Sequence, residues 1–137
     1  MNEVFLDSAY AIALSSSTDR HLKKAVKIAK ELEKERKKMV TTHAVVLEIG
    51  NALSKLRYRH AAIELIDSLE RDPTVEFIPI TERLFNHAFD LFRSREDKEW
   101  GLTDCISFIV MDDRGIREAL TTDEHFEQYG FQTLLND

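Results

Sequence analysis

With 137 residues, 43% of them hydrophobic and 32% charged, and with only four Gly and two Pro, the chain suits one globular domain without linker or low-complexity tract. A single cysteine, Cys105, excludes an internal disulfide and a thiolate zinc site, and no apolar run approaches the ~18 residues of a membrane span. The net charge of −6 speaks against broad attraction to nucleic acid, yet residues 19–38 hold nine Lys/Arg against four Asp/Glu, a basic segment in an acidic chain. The opening M-N-E-V-F-L-D carries no basic leader. A cytoplasmic protein without a membrane partner is the expectation.

Glu3–Leu6 (E-V-F-L) is a β-prone run closed by Asp7-Ser8 and predicts the first strand, followed by a short helix over Ala9–Leu14. Thr18 is placed to cap a helix over 19–38, with Asp19 in its first turn. Leu22, Ala25, Val26, Ala29 and Leu32 face one side of it, while Lys23, Lys27, Lys30, Lys34 and Lys37 recur along the other. Met39–Thr41 predicts a second strand. His43–Arg57 predicts a helix with Val45, Ile49, Ala52, Leu53 and Leu56 as its buried stripe. A further helix over Arg59–Arg71 uses Ala62, Ile63, Ile66 and Leu69 and stops at Asp72-Pro73.

Val75–Ile78 predicts the third strand, and Thr81 caps a helix to about Arg95 with Leu84, Phe85, Ala88 and Leu91 inward. A charged loop over 95–99 leads to a helix opened by Asp104. Its Cys105, Ile106, Phe108, Ile109, Val110 and Met111 are apolar on nearly every side, as in a core helix. Gly115 turns the chain into a strand over Glu118–Thr121, Asp123 opens another helix, and Phe131–Leu134 closes the fold as a last strand.

Strands alternating with helices predict an α/β fold with a mainly parallel sheet, whose ligands bind beyond the carboxyl ends of the strands. Asp7 follows the first strand and Asp123 the fourth, so neighbouring strands would put both on one rim. Singly, Asp7, Asp104 and Asp123 each suit a helix start and need no site to explain them. Glu48 differs, because it falls on the border of a buried stripe beside Ala52. Carboxylates gathered within a few ångströms raise one another's pKa unless a cation neutralises them. Oxygen donors without Cys or a His pair fit Mg²⁺ or Mn²⁺, ions that bind phosphate oxygens and activate water. That chemistry hydrolyses phosphodiesters.

The segments hydrophobic-L-D-S near the start, V-V-L-E-I-G-N-A-L, L-T-D-C-I-S-F-I-V-M and A-L-T-T-D-E-H-F resemble PIN-domain ribonucleases, including VapC-type toxins, over essentially the whole chain. The resemblance implies a single PIN-like domain over 1–137: a three-layer α/β/α fold around a five-stranded parallel sheet of order 3-2-1-4-5. It implies a metal-dependent endoribonuclease that leaves 5′-phosphate and 3′-hydroxyl ends, with Asp7, Glu48, Asp104 and Asp123 matching the family's acids. Asp7, Asp104 and Asp123 would hold Mg²⁺ or Mn²⁺, and Glu48 would complete the shell or orient the attacking water. RNA as substrate, a small antitoxin protein and a homodimer through helical surfaces are the partners implied. The outer side of the helical pair 42–72, with Tyr58 and Leu65, is the expected dimer surface. Many relatives carry Ala where this chain has Cys105.

A phosphatase of the haloacid-dehalogenase type also has an Asp after its first strand, but needs another Asp where this chain has Ala9. A PIN-like module that binds RNA or protein without cutting is the alternative, and the four acids weigh against it. Thr103 and Thr122 adjoin site acids and are placed to orient them. His125 is assigned to packing or surface, as are the other histidines. Trp100 and Phe126 suit the core, with base stacking as the sharper reading. The lysine stripe is a solvated face or a contact surface for RNA phosphates.

Overall fold

The computed structural model describes residues 3–136, so the leader reading at Met1 and Asn2 lies outside it. Five parallel strands, β1 (Glu3–Leu6), β2 (Lys38–Thr41), β3 (Val75–Phe77), β4 (Glu118–Leu120) and β5 (Gln132–Thr133), form one sheet of order β3-β2-β1-β4-β5. The helices are α1 (Ser8–Ser15), α2 (Leu22–Glu35), α3 (His43–Ala52), α4 (Leu56–Arg71), α5 (Glu82–Ser94), α6 (Leu102–Arg114) and α7 (Glu124–Tyr129). The winding direction reverses at β1, so right-handed crossovers send α1 to α4 to one face and α5 to α7 to the other. Helix contacts follow that division: α1 touches α2, α3 and α4, and α6 touches α5 and α7. Helix α3 bridges the two sets, touching both α1 and α6.

The central strand explains the core. Val4, Phe5 and Leu6 are all at most 1% exposed, because a middle strand with helices on both faces has no polar side. Helix α6 follows the same logic: every residue from Cys105 to Met111 is buried, Ser107 included, whose hydroxyl donates to the Thr103 carbonyl one turn back. Gly115 ends it at φ 68°, where the Ile116 amide closes a bond to the Met111 carbonyl. At the amino end of the sheet Arg114 donates to Glu3 of β1 and Glu76 of β3, and Lys38 of β2 also pairs with Glu76. These groups tie three strands to the end of α6. No helix of the described residues is long and apolar enough to cross a membrane.

The structure corrects several sequence expectations. Helix α2 begins at Leu22 and lacks a Thr18 cap, because the Asp19 carboxylate accepts from the His21 amide and fixes a turn instead. The second helical pair breaks at residues 53–55, not at Tyr58, although neither Gly nor Pro marks the place. The Arg59 guanidinium satisfies the Ser54 carbonyl there. Ala52 and Leu56 consequently leave the buried stripe, Leu56 being 89% exposed. Val26, Ile63 and Phe85 also face solvent. Leu65, expected on the outer surface, packs partly buried against the core. Trp100 and Phe126 are core residues, the Trp100 indole donating to Gln128, which removes both from base stacking.

Candidate active site

Each of the four predicted acids reaches the carboxyl rim from a different element. Asp7 is the residue between β1 and α1, and Asp123 caps α7 shortly after β4. Asp104 sits in the first turn of α6, where its Oδ2 accepts from the Gly101 amide at 3.0 Å. Glu48 projects from the middle of α3, the helix that crosses the rim. Asp123 caps a helix and Asp104 accepts a helix-end amide, and both also belong to a common cluster.

Burial and mutual charge shape the electrostatics of the cluster. Burial pushes the Asp7 carboxyl up to about 6, with Asp104 and Asp123 adding to the rise and the Thr121 and Ser8 hydrogen bonds partly offsetting it. Burial likewise pushes Glu48 up to about 7, with Asp7, Asp104 and Asp123 all contributing. Asp104 is raised chiefly by burial, against the Gly101 and His125 hydrogen bonds. Exposure grades outward from Asp7 at 5% through the Asp104 side chain at 13% to the Asp123 side chain at 34%. Of these three acids, Asp123 faces solvent most.

Three supporting groups complete it. The Thr121 hydroxyl donates to Asp7 Oδ2 at 2.7 Å, and its oxygen also accepts from the Asp123 amide at 3.1 Å. Thr121 thus links two acids and does the orienting expected of Thr103 and Thr122. Parallel register explains it: Phe5 pairs with Ala119 and Leu6 with Leu120, so the next positions out, Asp7 and Thr121, meet. Among the described residues neither Thr103 nor Thr122 sends its hydroxyl to an acid; the Thr103 carbonyl serves Ser107, and the Thr122 carbonyl accepts from Asn136. The Ser8 hydroxyl donates to Glu48 Oε1 at 3.2 Å.

His125, expected in packing or at the surface, is partly exposed and also reaches the acids. Its Nδ1 lies 3.0 Å from Asp104 Oδ2 and 3.4 Å from Asp123 Oδ1, an imidazole N–H donating into the acid cluster. Burial works against its protonation, but the Asp104 hydrogen bond and the Asp123, Asp104 and Glu124 charges prevail and raise its pKa. Its position two residues after Asp123 was the one hint in the sequence.

The donor set fits a hard divalent cation. Asp104, Asp123 and His125 place one donor atom each within 4.8 Å of one another; Asp7 and Glu48, also expected at the site, do not belong to that close group. Among the described residues Asp104 Oδ1, Asp123 Oδ2 and Glu48 Oε2 accept no hydrogen bond, so each of these three acids keeps an oxygen for an ion.

Residues 4–132 match the family model of the PIN domain, and the chain belongs to that family. Among solved structures it is similar to the Mycobacterium tuberculosis VapC20, a Sarcin-Ricin loop cleaving toxin, with a TM-score of 0.80 and 23% identity, over 93% of this chain and 95% of that one. It is also similar to VapBC2 of Rickettsia felis, solved bound to a DNA fragment from their promoter, with a TM-score of 0.70 and 11% identity over 96% of each chain. At such identities the likeness speaks for the fold. No curated protein sequence matches the chain.

Proposed function

We propose that this PIN domain is a divalent-metal-dependent endoribonuclease, the toxin of a type II toxin–antitoxin pair. The observation that carries the reading is the convergence of Asp7, Glu48, Asp104 and Asp123, from four different elements, into a cluster where burial and neighbouring acids raise the pKa of Asp7, Glu48 and Asp104. So much gathered negative charge is a liability to a folded protein unless a cation is its purpose. The toxin part of the reading is supported by the likeness to VapC20 and VapBC2.

Asp7, Asp104 and Asp123 would hold Mg²⁺ or Mn²⁺. The bound ion supplies charge neutralisation for the approaching phosphate and Lewis-acid activation of the scissile group. Thr121 locks Asp7 and the Asp123 backbone in mutual register, and His125 fixes the rotamer of Asp104. Glu48, oriented by Ser8, accepts the proton of the water that attacks phosphorus. The P–O3′ bond breaks, leaving a 5′-phosphate and a 3′-hydroxyl whose proton comes from solvent.

The test is cleavage of single-stranded RNA by purified protein. Cutting with Mg²⁺ or Mn²⁺, lost in EDTA and in Asp104→Asn, is the expected result. Full cleavage under either condition refutes the mechanism.

A homodimer would have two apolar surfaces to use, the helical pair 42–72, where Leu47, Leu56, Tyr58 and Ile63 are exposed, and α5, which we favour for its aromatic row. Phe85, Phe89 and Phe92 stack ring on ring along α5, each 39–43% exposed. Light scattering across a dilution series should show about twice the 15.9 kDa chain mass at micromolar concentration. Phe89→Asp should return it to the chain mass. A wild type that stays monomeric at high concentration rules the dimer out and leaves the nuclease reading intact.

A further inference from the structure

We infer that the groove between α2 and the C-terminal segment 134–136 receives the sugar–phosphate backbone of the RNA strand as it enters the acidic rim. The inference rests on the nuclease reading and adds the path of the substrate. The difficulty it answers is electrostatic: a cluster of carboxylates repels a polyanion, so something beside it must attract one.

The groove encloses about 940 Å³. Its charges are sorted along its length. At the amino end of α2 it is lined by Arg20, Lys23, Lys24 and Lys27; farther along come Glu31, Glu35 and the ion pair of Lys37 with Glu118. Glu118 opens β4 and is paired with Lys37, which marks that end as the amino side of the sheet, away from the site. The basic end lies against the rim. The Lys24 ammonium donates to the Asn136 carbonyl at 2.9 Å, and the Asn136 amide donates to the carbonyl of Thr122, the neighbour of Asp123. Two hydrogen bonds therefore separate the basic floor from the site.

Lys24 is engaged in holding the wall, but Arg20, Lys23 and Lys27 are exposed and form no ion pair among the described residues. Unpaired cations lining one concave surface that ends at an acidic site suit successive phosphates. Lys30 and Lys34 belong to the same stripe in sequence but do not line the groove. The fold thus divides a single lysine pattern into a contacting part and a solvated part.

The experiment measures binding of a fluorescein-labelled single-stranded oligoribonucleotide by anisotropy across a salt series. The Asp104→Asn background keeps the RNA whole. Lys23→Glu/Lys27→Glu should flatten the log–log salt slope by about 1.4, at ~0.7 per lost phosphate contact on a single strand. Lys23→Gln/Lys27→Gln should flatten it similarly, which removes added repulsion as the cause. Lys30→Glu/Lys34→Glu, the same charge change outside the groove, should leave the slope unchanged. Equal flattening by both Glu pairs would reduce the effect to net charge and overturn the groove. No flattening by the Lys23/Lys27 pair would overturn it too, and would leave an acidic protein segment as the occupant to test. Binding is read without cleavage, so the two readings fail separately. An RNA-binding groove on a wild-type chain that cuts nothing would sink the nuclease alone.

Discussion

Asp7→Asn probes the cluster through stability rather than turnover. The Asp7 carboxyl titrates at about 6 in the fold against 3.8 as a free side chain. At 1.36 kcal/mol per unit, ionising it inside the fold costs about 3 kcal/mol. Because the folded pKa is the higher one, this stability is fully present below pH ~4 and is lost as pH rises through about 6. Glu48 is also raised, to about 7, and extends the window upward, but it is only half-buried and solvent screens its share. Asn cannot ionise and keeps an oxygen to accept from Thr121, though its amide group forfeits about 1 kcal/mol of hydrogen bonding. In EDTA at pH 7.5 the variant should therefore be about 2 kcal/mol more stable than wild type, some 6 °C in Tm for a chain of this size. At pH 4 the advantage should vanish or reverse. Saturating Mn²⁺ should reorder the two proteins, since an ion at 100 times its Kd adds about 2.7 kcal/mol to whichever fold binds it. Scanning calorimetry at the two pH values, with and without metal, checks all three. A variant less stable than wild type by the same margin at both pH values would refute the claim that Asp7 is destabilised by burial and its acidic neighbours.

Thr121→Val should lower cleavage by about 10- to 100-fold with little loss of fold, as removal of a ligand-orienting hydroxyl does, while Thr122→Val should be silent; initial rates on one RNA decide it. Arg114→Met should cost roughly 1 kcal/mol at pH 7, since the group is partly exposed and screened. The cost should fade as pH falls, because Arg114 and Lys38 hold Glu76 down at about 2, and the stability they confer is lost as pH drops below 4.5 towards that value. Thermal melts of wild type and variant from pH 7 to pH 2.5 give the comparison.

Much of this protein was legible in its sequence. Burial on both faces makes β1 and α6 apolar throughout, and that pattern shows in residues 3–6 and 105–111 without any tertiary knowledge. The acids were legible because a carboxylate at the start of a helix leaves a local signature, and three of the four sit there. Glu48 stood out by facing the edge of an apolar stripe. What stayed hidden depends on distance in the chain. Thr121 reaches Asp7 through the register of two strands 114 residues apart, and adjacent threonines are indistinguishable until that register is known. His125 meets Asp104 across 21 residues, where nothing local separates a site imidazole from a surface one.

The helix ends were hidden for a different reason. At Asp19 and at residues 53–55, side chains compete with the helix for backbone hydrogen bonds, and the outcome turns on small differences that no periodic pattern records. The lysine stripe is the clearest division between the two levels. Sequence alone determined that Lys23, Lys27, Lys30 and Lys34 share one side of a helix, since 3.6 residues per turn is a property of the backbone. Only the tertiary structure decided that Lys23 and Lys27 line a groove while Lys30 and Lys34 do not, because the opposing wall is the chain's own end, folded back more than a hundred residues later.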